Sequence, residues 1–133
     1  MTRNIFALRA VRDLIKKSPE KHAQDSWAAI EADQIVFPEG GVAKVSCGTT
    51  ACVAGWAATL AGAKFLIEED DLEDGVYYAE KVEGLDGQTY WVDSYARNVL
   101  GLKPSEAGLL FNGDLERKEV LKLLKRLIEG KDI

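Results

Sequence analysis

From Cys47 to Ala63 the chain reads Cys-Gly-Thr-Thr-Ala-Cys-Val-Ala-Gly-Trp-Ala-Ala-Thr-Leu-Ala-Gly-Ala without one charged residue, in a sequence of which 29% is charged. A gap of that kind predicts a segment shielded on every side, a buried central helix. Thr49 or Thr50 would cap its first turn through a hydroxyl oxygen, and Gly48 would allow a sharp entry. Val53, Trp56, Ala57 and Leu60 recur at helical spacing as one apolar stripe. Ala51, Ala54, Gly55, Ala58 and Ala61 form the opposite side, small enough for a second backbone to come close. Gly62 suits the C-terminal stop. The stretch is too rich in alanine, glycine and threonine for a membrane span, and Lys64 follows at once.

A chain of 133 residues with a hydrophobic fraction of 47% reads as one domain, residues 1–133, with an ordinary core. Its start leads into a charged amphipathic segment without the apolar run of a signal peptide, which points to the cytoplasm and to reduced cysteines. The net charge of -5 opposes binding of nucleic acid by the surface at large.

Residues 4–17 place Ile5, Leu8, Val11 and Ile15 on one face of an amphipathic helix, which Ser18-Pro19 ends. His22, Gln24, Asp25 and Trp27 form a polar cluster with one large aromatic. Ala28–Ala32 reads as a short helix, Pro38–Gly41 as a turn and Val42–Ser46 as a short strand. Glu68, Glu69, Asp70, Asp71, Glu73 and Asp74 crowd around Leu72 as a solvated acidic loop. Aligned on Gly75, they fail the calcium-loop pattern because Leu72 falls on a ligand position. Val76–Val82 and Gln88–Val92, joined through Gly84–Gly87, predict a β-hairpin. Asp93 or Ser94 would cap a helix to Leu100, Pro104 would open another, and Asp114 would cap the last, with Val120, Leu121, Leu124, Leu127 and Ile128 inward. The expected fold class is α+β, mostly α: a small helical domain around a buried central helix, with one antiparallel β-hairpin or small sheet.

The blocks His22-x-Gln24-x-x-Trp27, Cys47-Gly-Thr-Thr-Ala-Cys-Val-Ala-Gly-Trp-Ala57, Ala96-x-x-x-Leu-Gly-Leu102 and Leu110-Phe111 resemble a family of small proteins of tailed phages, prophages and actinobacterial genomes. The resemblance implies an accessory protein of phage type; it implies no mechanism.

Cysteine chemistry is one candidate. Cys52 would lie in the first turn of the central helix, where unpaired amides lower a thiol pKa. Cys47-Gly48 is locally similar to the nucleophile helices of papain-like and C39-like peptidases, which take their histidine from downstream. Here the sole histidine, His22, lies upstream, so a hydrolase or transferase using Cys52 or Cys47 with His22 would need an unfamiliar chain order. A zinc site from the same three residues would lack a fourth ligand. No metal and no cofactor is expected. The two short helices around Gly101–Pro104 have helix-turn-helix spacing, but the second offers Glu106, Gly108, Leu109 and Leu110 and no basic residue to read bases. Gln24, Trp27, Gly48, Thr49, Thr50 and Trp56 read as a structural cluster, with His22 and Gln24 bonded to the helix entry. If alternation holds, Tyr78 and either Tyr90 or Trp91 project on one hairpin face open to a partner. The leading reading is a non-enzymatic module binding a host or phage protein, with no membrane role; self-association stays open.

Overall fold

The structure, a computed structural model, describes residues 2–38 and 41–133. The middle pair of the expected Pro38–Gly41 turn lies outside the described residues. Among the described residues five α-helices, α1 (Ile5–Lys17), α2 (Val53–Leu60), α3 (Val92–Leu100), α4 (Pro104–Leu110) and α5 (Arg117–Ile128), combine with seven short strands. The strands are β1 (Ala29–Glu31), β2 (Val42–Val45), β3 (Lys64–Glu68), β4 (Leu72–Glu73), β5 (Val76–Tyr78), β6 (Lys81–Glu83) and β7 (Thr89–Trp91). They form two antiparallel sheets, one ordered β1-β5-β4 and the other β2-β3-β6-β7. The expectation of one hairpin or small sheet in a mostly helical domain is therefore corrected.

Two local causes explain the larger sheet content. The first hairpin arm expected over Val76–Val82 is broken at Ala79-Glu80, where the Ala79 amide donates to Ala28 and the Glu80 carbonyl accepts from Val92. Val76–Tyr78 thus pairs in one sheet, while Lys81–Glu83 pairs with Thr89–Trp91 in the other. The acidic stretch is also more than a loop. Glu68 ends β3, Leu72–Glu73 forms β4, and Asp74-Gly75, both with positive φ, makes the two-residue turn that returns β4 onto β5.

Ala28–Ala32 is largely a strand rather than a helix. The Ala29 amide donates to the Thr50 carbonyl at 2.8 Å and its carbonyl accepts from Thr49 at 2.8 Å, so tertiary pairing overrides alanine's helical preference.

The central helix is present and buried, with Val53, Ala54, Gly55, Trp56, Ala57 and Ala58 all inside. It begins later than expected, with Cys52 at the cap. Neither threonine caps it: the Thr49 hydroxyl accepts from the Glu31 amide and donates to Gln34, because residues 49–52 run beside 21–31. Leu60, expected inward, is 49% exposed at the helix end. The small side does admit another backbone, since a Cβ on Gly55 would overlap the Trp27 carbonyl.

Around α2 pack α1, through Leu8, Val11 and Ile15, and α3, through Val92, Ala96 and Leu100. Asn4 caps α1 by accepting from the Ala7 amide, and Gly101 ends α3 in the left-handed conformation. α3 follows β7 directly, with Trp91 rather than Asp93 or Ser94 at its cap. α5 lies on α1 with Val120, Leu124 and Leu127 inward; its cap is Glu116, not Asp114, and the Glu119 carboxylate accepts from the Glu116 amide. The four-stranded sheet turns Ala43, Phe65, Ile67 and Val82 into the core and leaves Val42, Lys44, Lys81 and Trp91 outside. No helix is long and apolar enough to cross a membrane, among the described residues.

Candidate functional site

The motif blocks converge, and the contacts between them are mostly backbone. The Ala23 amide donates to Ala51, the Ala51 amide to Lys21 and the Cys52 amide to Ser26, each at 2.8–3.0 Å. Trp56, buried in α2, donates its indole N–H to the Lys21 carbonyl at 2.9 Å. Gln24 ties this block to the end of α4: its buried amide donates to the carbonyls of Leu110 and Asn112 at 2.9 and 3.1 Å. That is a correction to the expected bond with the helix entry. Gly48 sits buried in the turn before Thr49, against the Ala28 side chain.

These bonds also fix His22. With both amide hydrogens of Gln24 given to carbonyls, its Oε1 faces the imidazole, and His22 Nε2 donates to it at 2.7 Å. The ring's hydrogen bond therefore goes to glutamine and to neither cysteine. Cys47 is exposed, its thiol directed at the Gly48 carbonyl, and Cys52 is fully buried. Burial pushes the Cys52 thiol up to about 11, the Gly55 and Ala54 amides opposing this only in part. The helix terminus fails to activate the thiol because desolvation of a thiolate outweighs the partial charge of the nearby amides. Among the described residues no three histidine, cysteine or carboxylate side chains gather to hold a metal.

One consequence is directly measurable. At pH 8 Cys52 is about one part in a thousand thiolate, so native protein should lose one thiol to iodoacetamide, at Cys47, and the second only on unfolding. Rapid alkylation of both in native protein would contradict this placement.

The expected aromatic face also needs correction. Tyr78 belongs to β5, in the other sheet. Tyr90 points away from Trp91, as alternation along β7 requires, and its hydroxyl donates to Asp86 beside the Tyr95 ring. Trp91 is 55% exposed, with Lys81 Nζ 4.9 Å from its ring centroid, and Tyr78 is 40% exposed on the other sheet.

Four depressions, one of them at Trp91, share lining residues in series and are together termed the trough. Near Gln24 and Gly113 a depression of about 220 Å³ meets Trp27 and Phe111, whose rings touch edge to face at 6.4 Å. The same two rings wall the next section, about 310 Å³ between α3 and α4, with Asp93, Ser94 and Arg97 on one side and Pro104 and Gly108 on the other. Ser94 leads into a section of about 300 Å³ at Tyr90 and Trp91. Lys81 and Thr89 carry it into a fourth, about 270 Å³, on the outer sheet face. A larger depression of about 550 Å³ between residues 34–38 and β2 shares Val42 with the fourth section, and none of the site residues singled out from the sequence lines it. Neither Asp93 nor Arg97 is in an ion pair among the described residues.

Sequence reasoning found Trp27 and Trp91 but missed Phe111, Arg97 and Gly108 as lining residues. The signal was the α3–α4 pair itself: Gly108 leaves open space on α4, a gap that two helices packed only on each other would fill. No family model, no curated protein and no solved structure matches this chain.

Proposed function

We propose that the chain is a non-enzymatic binding module of the cytoplasm that holds an extended segment of a partner protein, a host or phage protein as the family resemblance implies. The observation that carries this reading is the trough from Gln24 past Trp27, Phe111 and Trp91 to the outer sheet face. Aromatic walls supply large contact area at small entropic cost, and tryptophan is a favoured anchor at interfaces. Asp93 and Arg97, in no ion pair among the described residues, line the middle and can orient a peptide backbone. The buried, unactivated Cys52 and the glutamine-bound His22 weigh against the cysteine-dependent hydrolase or transferase.

Two substitutions separate binding from folding. Gly108 lies in α4 with nothing near its Cβ position, so Gly108→Lys fills the trough without strain and removes a helix-weakening glycine. Trp91→Ala removes an exposed ring. A partner captured from the natural host, identified and purified, should bind both variants at least about thirtyfold more weakly, as loss of an anchor worth about 2 kcal/mol requires. Their melting temperatures should stay within a few degrees of the parent. Parental affinity in both variants would overturn the proposal.

A further inference from the structure

We propose, on the reading of the trough as a peptide site, that its sheet end takes a basic side chain, arginine or lysine, set beside an apolar residue of the partner segment. The floor there is apolar. Val42 of β2 and Leu66 of β3 lie on the outer face, and the stem of Lys81, paired with Leu66 in register, continues it to Trp91. In register, the row through Leu66 runs Lys44, Leu66, Lys81 and Trp91 across the four strands, with the Lys44 ammonium held by Glu83 at 2.9 Å.

The rim is acidic and uncompensated. Glu68, Asp71 and Glu80 line this section, and Glu69, Asp70, Glu73 and Asp74 stand close by in sequence. None of these carboxylates is in an ion pair among the described residues. Of the cations on this face, Lys81 lines the section with its ammonium over the Trp91 ring, and Lys44 is paired with Glu83. The carboxylates are not grouped tightly enough to hold a metal ion. A long cationic side chain fits both features at once: its methylenes cover Leu66 and Val42 while its head reaches the carboxylates. The trough thereby acquires a direction, aromatic at Trp27 and Phe111 and cation-selective at β3.

The test is a titration of the ¹⁵N-labelled protein with acetyl-leucyl-arginine amide and with its neutral isostere, acetyl-leucyl-citrulline amide, followed by amide and indole shifts. The arginine peptide should shift Leu66, Glu68, Glu80 and Lys81 saturably, and bind about three- to tenfold more tightly than the citrulline peptide. That advantage should vanish in the double variant Glu68→Gln, Glu80→Gln and shrink at high salt. Equal binding of the two peptides, with Trp27 and Trp91 indoles still shifting, would overturn the cation preference and leave the trough as a peptide site. No shift anywhere on the trough with either peptide would overturn both. Because Glu68 and Glu80 lie at the surface, a dispersed parental spectrum in the double variant separates lost binding from lost fold.

Discussion

Gly55→Ala should destabilise the protein by about 3 kcal/mol or more, the upper end of what overpacking costs, because the added methyl would occupy the space of the Trp27 carbonyl oxygen. The carbonyl cannot retreat easily. Residues 21–29 are held to 50–52 by the Ala23, Ala51 and Cys52 amide bonds, and the Trp27 ring is fixed against Phe111. Nearby, the Ala51 methyl crowds the same position. For a domain of this size the melting temperature should fall by roughly 10 °C. Gly108→Ala makes the same chemical change in α4, where nothing lies within 4 Å of the new methyl, and should be neutral or slightly stabilising. Thermal denaturation of the two variants decides the matter; equal effects would show that backbone contact at Gly55 is not what restricts it.

Arg3→Met should cost about 2–3 kcal/mol near neutral pH, less than a fully buried pair would because the guanidinium is partly exposed. Arg3 Nη2 meets the buried Glu106 carboxylate at 2.5 Å and Nη1 donates to the Leu127 carbonyl at 3.2 Å, joining the N-terminal segment to α4 and α5. Desolvation alone would raise the Glu106 pKa, but the Lys103 amide and the Arg3 guanidinium outweigh it and hold the carboxyl below its ordinary value of 4.5. A carboxyl with a depressed folded pKa contributes stability that is complete above 4.5 and is lost as pH falls through the lower folded value. The gap between parent and Arg3→Met in urea denaturation should therefore be largest near pH 7 and close in acid. A gap that is constant or widens on acidification would contradict this account of the pair.

How much of this was legible in the sequence follows from which interactions are local. The α1 face of Leu8, Val11 and Ile15 and the Pro104 and Gly101 helix boundaries depend on periodicity and short-range sterics and stand where the sequence puts them, and the central helix is buried as expected but starts later. Ala29–Glu31 does not, because its strand exists only through pairing with β5 and contacts to residues 49 and 50, far away in sequence. Asp74-Gly75 was readable as a hairpin turn, but the surrounding carboxylates hid it behind the composition of a solvated loop. Cys52 illustrates the same limit in chemistry. Its place at the helix start was nearly right, yet the sequence could not weigh amide stabilisation against complete burial, and burial decides the sign. The trough was least legible, since Trp27, the Trp91–Arg97 stretch and Phe111 come from three separate segments.

The direct measurement of the central claim is amide hydrogen exchange on the complex with its purified partner, compared with the free chain. New protection at Trp91–Arg97, at Pro104–Phe111 and on β3 around Leu66 is the result the trough predicts. Protection confined to the Cys47–Cys52 segment and His22, with the α3–α4 surface exchanging as in the free chain, would contradict it and return attention to the cysteines.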